Sequence, residues 1–261
     1  MKGLYASIWA ETLKVRRSKM LIITILAFAG IAIMLGLMIF VTRNPELAAN
    51  SAMVSAKSSM FKDDWSSYFG LFIMMILTLG TIGFGIITSW VFGREYSDNV
   101  AKDLLALPVS RFTIVLSKFI IIIIWSFLLS LILFVCGLLT GFAVNIANWS
   151  AAMSYTSFIT FMITSFFTML LCTPVAFIAS FSRGYLAPFG FVIAVLVVTQ
   201  IMFVGVPGIT LYFPWAIPAL YSGISGQGVP NPGLVSYVLL ISTIILGFIG
   251  TAAWWRFADQ T

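Results

Sequence analysis

The side chains with chemical capacity gather in one short stretch of this chain, residues 93–118, between two long apolar runs. This charged segment holds Arg94, Glu95, Asp98, Lys102, Asp103, Arg111 and Lys118. Its three acidic residues lack the spacing of metal ligands, and the chain has no histidine, the commonest general base and metal ligand. We therefore predict no catalytic residues and no metal site, and we expect the charged segment to transmit a signal or energy from elsewhere.

The composition excludes most soluble classes of protein. Of the 261 residues, 61% are hydrophobic and only 8% are charged, whereas about a quarter are charged in soluble domains. The net charge of +6 comes from scattered basic residues, without the stripe that nucleic-acid binding needs, so we expect no nucleic-acid partner. Cys136 and Cys172 both lie in apolar runs, which argues against a disulfide framework or a metal site.

Six apolar runs are each long enough to cross a bilayer, which takes about 20 helical residues. We expect spans at about residues 21–41, 69–92, 113–142, 155–181, 185–206 and 234–255. No small-residue cleavage site closely follows the first run, so we interpret it as a retained anchor rather than a signal peptide. The predicted fold is an all-α membrane protein in which residues 1–261 form a single transmembrane domain.

Residues 1–20 predict an amphipathic helix at the membrane surface. Leu4, Tyr5, Ile8, Trp9 and Val15 fall roughly on one side of such a helix, and basic residues would face anionic lipid. A basic tail that only sets the topology is the alternative interpretation.

Lys and Arg are distributed unevenly between the two sides of the predicted membrane domain. Eleven fall on the side that holds both termini and the charged segment, and three fall on the opposite side. By the positive-inside rule, both termini and the charged segment are expected in the cytoplasm, with the protein a multi-pass component of the cytoplasmic membrane.

The predicted spans lack the groups that power transport. No Asp, Glu, Lys, Arg or His lies in the middle of a span, although ion- and proton-coupled transporters usually keep such groups there. Sites built from backbone carbonyls stay open as an alternative. The chain also lacks the G-x-x-x-x-G-K-[ST] loop, so we do not expect it to be an enzyme that hydrolyses nucleotide.

Glycines in the spans predict close helix contacts. Gly137 and Gly141 form a G-x-x-x-G pair in the third span, which is typical of helix packing within one chain or between two chains in a dimer. Gly80, Gly83 and Gly85 in the second span lack dinucleotide-binding spacing and are interpreted as helix-contact residues.

The charged segment contains its own helix signal. Ser97 or Asp98 can cap a short helix over residues 100–107, which Pro108 ends. One face of this helix is apolar, which suits either docking in a partner's groove or burial in lipid. Ser110 can cap the third span, with Arg111 and Lys118 at the cytoplasmic interface.

Three segments carry a family resemblance: WAETLKVRRSK at residues 9–19, FGREYSDNVAKDLLALPVSRFTIVLSK at 92–118, and FPWAIPAL at 213–220. In this order they resemble the permease subunits of ABC-2 type transporters, particularly the small six-span permeases of bacitracin- and lantibiotic-type export and immunity systems. The resemblance covers essentially the whole chain.

The resemblance implies two permease units, this chain with a second copy or a paralogue, and two ABC-type ATP-binding subunits on separate chains. ATP and Mg would bind to those subunits, so this chain would hold no cofactor. The helix around 98–107 would be a cytoplasmic coupling helix that docks in the ATPase, with Arg94, Glu95 and the N-terminal helix as an adjoining hinge. Asp98 and Asn99 stand near where many relatives have glycine, which leaves the helix start open. The expected coupling residues are Arg94, Glu95, Asp98, Lys102, Asp103, Leu104, Leu105, Leu107, Pro108 and Arg111.

The uncharged segment 207–233 is rich in proline and aromatic residues. We expect it to turn back into the outer leaflet as broken helices, which is tolerated where protein buries them. By resemblance it would close the outer end of the substrate path, with Pro207, Pro214, Trp215 and Pro218 as gate residues. A plain structural loop is the alternative.

The expected function is that of a transmembrane permease subunit of an ATP-driven exporter, moving a hydrophobic or amphipathic substrate, with peptide antibiotics among the candidates. The alternatives are a stand-alone channel or secondary carrier and a membrane scaffold. Purified protein in liposomes without ATP separates these classes, because a stand-alone carrier would still move substrate.

Overall fold

The computed structural model describes residues 2–43, 64–97, 109–224 and 231–257, and these fold almost entirely as helices. The α-helices of the described residues are α1 (Lys2–Arg16), α2 (Lys19–Arg43), α3 (Trp65–Met75), α4 (Thr81–Ser97), α5 (Arg111–Ala143), α6 (Ala151–Leu170), α7 (Thr173–Ser182), α8 (Leu186–Gly205), α9 (Ile217–Ser222) and α10 (Leu234–Phe257). A π-helical turn, Ile76–Gly80, joins α3 to α4, and two 3₁₀ turns, Pro207–Tyr212 and Pro214–Ala216, precede α9.

Six helical stretches among the described residues are long and apolar enough to cross a membrane. In order they are Lys19–Thr42, Trp65–Ser97, Arg111–Ala143, Ala151–Ser182, Leu186–Gly205 and Leu234–Phe257, referred to as the first to sixth spans. They coincide with the six predicted runs and extend most of them by a few residues. The prediction of an all-α membrane protein with six spans is therefore confirmed. The predicted coupling helix over residues 100–107 lies outside the described residues.

The N-terminal helix forms as predicted, but the side that packs against the rest of the protein is not the predicted apolar side. Tyr5 and Trp9 are exposed, whereas Glu11 and Val15 are buried against the rest of the chain. A break at Arg17 and Ser18 separates α1 from α2, and α1 packs along α5. The residues expected on one apolar side are thus divided between the protein contact and the exposed surface.

The second span packs closely against its neighbours through two of the predicted contact glycines. A Cβ atom added at Gly83 would lie 2.7 Å from the Phe28 ring of the first span. A Cβ at Gly85 would lie 2.6 Å from Val192 of the fifth span. A larger residue at either position would force the Phe28 or Val192 side chain, or its helix, to shift, so the helix-contact interpretation is confirmed for both.

At the end of the bundle away from α1, aromatic rings pack into the groove made by the third-span glycines. The rings of Trp65, Tyr68 and Phe72 on α3 occupy the space where side chains of Gly137 and Gly141 would lie. The Tyr68 hydroxyl lies 2.8 Å from Thr140 Oγ1, and it also donates a 3.2 Å hydrogen bond to the Gly137 carbonyl. We call this group (Trp65, Tyr68, Phe72, Gly137 and Gly141) the aromatic cluster.

The fourth and sixth spans are joined by direct polar contacts. The Thr173 hydroxyl donates to the Ile244 carbonyl at 3.0 Å, and the Trp255 indole nitrogen donates to Ser180 Oγ at 2.9 Å. Pro174 occupies the first turn of α7, where a proline leaves no hydrogen bond unmade. Gly247 approaches the Pro174 backbone so closely that a Cβ there would lie 2.5 Å from its nitrogen.

Candidate functional site

Four charged side chains from three helices form a closed ring of ion pairs, which we call the ion ring. Lys14 Nζ lies 2.8 Å from Glu11 Oε1 and 2.9 Å from Glu95 Oε1. Lys118 Nζ lies 3.2 Å and 2.7 Å from the same two oxygen atoms. The two ammonium groups balance the two carboxylates, so the ring carries no net charge. It joins α1 to the end of α4 and the beginning of α5.

Lys118 is the deepest member of the ion ring, because its side chain has no exposed surface. Its ammonium donates to Glu11, Glu95 and the Val91 carbonyl, and three is the full number of its N–H donors. It also lies 6.0 Å from the ring centroids of Phe92 and Trp255, which places the cation near two π faces. Lys118 is predicted at the cytoplasmic interface of the third span; the structure shows that its side chain points into the protein and not toward solvent.

Local helix geometry explains how these residues meet. Glu11 and Lys14 are three positions apart, so they share one face of α1. Glu95 lies close to the end of α4, and Lys118 lies seven residues after the start of α5, roughly 10 Å along its axis. Ser110 caps α5 by accepting a hydrogen bond from the Thr113 backbone N–H at 3.1 Å, which confirms the predicted cap.

The ion ring differs in exposure from one side to the other. Lys14 keeps a quarter of its side chain exposed, whereas Glu95 is almost completely buried. Burial alone would lower the pKa of Lys14, but the carboxylates of Glu11 and Glu95 outweigh it and raise that pKa above its usual 10.5. Glu95 Oε2 has no hydrogen-bond partner within the part of the chain that the structure describes.

Three of the predicted coupling residues are described, and they lie at the same end of the bundle. Glu95 belongs to the ion ring, and the Arg94 guanidinium lies 4.8 Å from the centroid of the Trp90 ring. Arg111 donates from Nη1 to the carbonyls of Trp255 and Arg256, at 3.2 and 3.0 Å, so it joins the third span to the sixth. The others lie outside the described residues: Asp98, Lys102, Asp103, Leu104, Leu105, Leu107 and Pro108.

The four predicted gate residues lie in a chain segment that folds back along the bundle. Pro207 and Pro214 open the two 3₁₀ turns, and Pro218 is buried in α9. The Trp215 ring packs edge-on against Phe191, 5.7 Å between centroids, although Phe191 lies near the opposite end of the fifth span. Short broken helices therefore form here, as the sequence predicts, and they are packed on the spans.

A cavity of about 230 Å³ lies between this segment, the second span and the fifth span. Its lining includes Leu77, Thr78, Thr81, Thr199, Gln200 and Trp215. The π-helical turn Ile76–Gly80 contributes to its wall, and such turns are frequent at functional sites. Apolar walls with a few hydroxyl and amide groups are typical of a site for an amphipathic molecule.

Similarity to known proteins identifies the family of this chain. The profile of a family described as ABC-2 family transporter protein matches residues 7–207. The bacitracin transport permease protein BCRB of Bacillus licheniformis is 31% identical over 188 residues, which cover 72% of this chain and 88% of that protein. This chain belongs to the ABC-2 transporter family. The resemblance inferred from the three sequence segments is confirmed, and the chain is a multi-pass membrane permease of that family.

The matched region divides this ABC-2 permease into two parts. It contains all four residues of the ion ring and both glycines of the aromatic cluster. It ends at Pro207, so the gate residues Pro214, Trp215 and Pro218 and the whole sixth span lie beyond it. Permeases of this family generally work with an ABC-type ATP-binding subunit.

The sequence pattern drew attention to Glu95 and Lys118 in this permease but not to their pairing. The predicted interfacial helix places Lys14 among the basic residues that face lipid, and nothing in its pattern singles out Glu11. One signal was available, because Lys118 lies inside a long apolar run with no acidic residue on its own helix. A lysine in such a position needs a carboxylate from another element.

Proposed function

We propose that this chain is the transmembrane subunit of an ATP-driven exporter and that a separate ATP-binding subunit powers it. It moves a hydrophobic or amphipathic substrate across the cytoplasmic membrane and does not hydrolyse ATP itself. Two permease units, identical or paralogous, work with two ATP-binding subunits. Both termini and the ion ring face the cytoplasm, in keeping with the bias of Lys and Arg toward that side.

The ion ring is the observation that supports this proposal most strongly. It fastens α1 to the end of α4 and the beginning of α5. Glu95 lies three residues before the predicted coupling segment that begins at Asp98, so we expect a force on that segment to reach the buried carboxylate through a very short length of chain. Ion pairs in a low-dielectric site are strong when closed and costly when half broken, which favours two discrete arrangements.

The cavity next to Trp215 supports the polarity of the cargo, although at about 230 Å³ it would have to widen to admit a whole peptide antibiotic. It is walled mainly by aliphatic and aromatic side chains, with Thr78, Thr81, Thr199 and Gln200 as hydrogen-bonding groups. The relative from Bacillus licheniformis is a bacitracin transport permease. We therefore infer that an amphipathic peptide antibiotic of the bacitracin type is the first cargo to test, with Pro207, Pro214, Trp215 and Pro218 closing the outer end of its path.

Transport in vesicles tests the proposal. The full-length chain is reconstituted alone or with the ATP-binding subunit that co-purifies with it, and bacitracin movement is followed with and without ATP. We expect movement only when both proteins and ATP are present. Movement by the chain alone without ATP would establish a stand-alone carrier and refute the proposal.

Two variants separate docking from coupling. Leu104→Asp places a charge on the apolar face of the predicted coupling helix and is expected to abolish co-purification of the ATP-binding subunit. Glu95→Gln removes one charge from the ion ring and is expected to leave the complex assembled while transport is lost. Arg17→Gln, an exposed charge at the same end, is the matched control. An intact complex with Leu104→Asp, or unchanged transport with Glu95→Gln, would contradict the coupling role.

A further inference from the structure

A groove of about 570 Å³ runs between the start of α5 and the end of α10, outside the ion ring. Phe112, Phe248, Ile249 and Ala253 form its apolar part, and Arg111 and Arg256 line it at the helix ends. The rings of Phe112 and Phe248 meet edge to face, with centroids 6.0 Å apart. Phe112 and Ile249 are more than half exposed, so the groove continues onto the outer apolar surface of the spans.

Among the residues that the structure describes, the groove carries two positive charges and no negative one. Its lining contains no Asp or Glu, and neither α5 nor α10 has an acidic residue. The nearby carboxylate of Glu95 is committed to Lys14 and Lys118. Arg111 uses Nη1 for two backbone carbonyls, and its Nε and Nη2 have no hydrogen bond within the described residues.

We propose that this groove binds an anionic phospholipid of the adjoining leaflet, with its phosphate between Arg111 and Arg256. Guanidinium groups pair with phosphate in a planar, two-point geometry, and basic pockets between spans are typical headgroup sites. The acyl chains lie along Phe112, Phe248 and Ile249. A free phosphate would fill only the charged part, and an acidic protein segment would leave the exposed apolar part uncovered.

The bound lipid holds the third and sixth spans together. Arg111 already joins these spans through the Trp255 and Arg256 carbonyls, and the phosphate adds a second link between the same two helices. The Trp255 ring also lies 6.0 Å from the Lys118 ammonium, so the lipid stabilises the helix end against which the ion ring packs. This inference depends on membrane insertion and not on the proposed transport cycle.

Lipid binding to the full-length chain in detergent tests this proposal. The probes are phosphatidylglycerol and phosphatidylcholine with the same acyl chains, and inorganic phosphate alone, read out by native mass spectrometry and by the shift in melting temperature. We expect phosphatidylglycerol to bind and to raise the melting temperature, and phosphatidylcholine and phosphate to do so much less. Arg256→Gln is expected to weaken phosphatidylglycerol binding about tenfold, the loss of one charge-assisted contact.

Controls separate charge, shape and folding. Arg17→Gln removes a positive charge from the same end of the protein and is expected to leave lipid binding unchanged. Ala253→Leu keeps both arginines but fills part of the apolar groove, and it is expected to weaken binding through the acyl chains. Equal binding of both lipids, an equal effect of inorganic phosphate, or unchanged binding in Arg256→Gln would overturn the proposal. Loss of the ATP-binding subunit from Arg256→Gln with lipid binding intact would overturn it too, and would assign the groove to that partner.

Discussion

The two ends of the third span are held to their neighbours by opposite kinds of chemistry. At one end, Lys118 is fixed by ion pairs to α1 and α4. At the other end, Gly137 and Gly141 are covered by the rings of α3 without any charge. Packing of rings on glycine has one close-fitting arrangement, whereas an ion ring can close or open as a unit. From this comparison we expect the aromatic cluster to anchor the bundle and the ion ring to be the adjustable end.

Removing Lys118 is expected to cause the largest loss of stability. Lys118→Met leaves the buried Glu11 and Glu95 carboxylates with Lys14 as their remaining ring partner. Because the loss of one member of a buried ion pair typically costs about 3–5 kcal/mol, we expect a loss of stability of that size. The measurement is the free energy of unfolding of the full-length chain in a dodecyl sulfate titration. The double variant Lys118→Met, Glu95→Met should recover most of that loss, since the uncompensated charge is gone. A double variant no more stable than the single one would show that charge balance does not hold this end.

A glycine variant tests the aromatic cluster with a smaller expected effect. Gly141→Ala places a Cβ 2.6 Å from the Trp65 ring, and overpacking of this kind costs about 1–3 kcal/mol. Gly30→Ala is the matched control, because a Cβ there meets nothing within 4 Å. The control is expected to gain stability slightly from the higher helix propensity of alanine. Equal effects of the two variants in the same unfolding titration would remove the argument for a close-fitting end.

Within the aromatic cluster, the hydrogen bonds of Tyr68 are expected to contribute less to stability than the packing on glycine. Tyr68→Phe removes the hydroxyl that contacts Thr140 and Gly137 while it keeps the ring in place. Thr140 Oγ1 can still donate to the Ala32 or Gly137 carbonyl, so we expect the loss of about one hydrogen bond, roughly 0.5–1.5 kcal/mol. Tyr155→Phe, where the side chain is exposed, should change stability very little. A loss for Tyr68→Phe larger than that for Gly141→Ala would reverse the order of contributions proposed for this cluster.

Alkaline pH should weaken the ion ring through Lys14. The pKa of Lys14 is raised in the folded chain, so its stabilising contribution is complete below about 10.5 and is lost as the pH rises through the folded-state value. The difference in melting temperature between the unaltered chain and Lys14→Met should therefore shrink above pH 10.5. A difference that stays constant to higher pH would show that Lys14 stabilises the ring by packing rather than by charge.

The six spans could be predicted from the sequence because length and hydropathy alone determine which helices cross a bilayer. The cap at Ser110 and the contact glycines were also predictable, because they follow from local residue chemistry. The ion ring was not, since Glu11 and Lys118 are separated by more than 100 residues and meet only through the packing of α1 on α5. The same reason applies to the cavity beside Trp215, whose walls come from segments far apart in the chain.

Distances within the assembled complex test the central claim most directly, namely that ATP acts on this permease through the ion-ring end. With Cys136 and Cys172 replaced, spin labels at Ala6 and Ser97 report on α1 and α4, and labels at Ser66 and Leu139 report on the aromatic cluster. Electron–electron double resonance is recorded on the complex with and without ATP and Mg. We predict a changed distance for the first pair and an unchanged one for the second. An unchanged first distance in a complex that hydrolyses ATP would contradict the account.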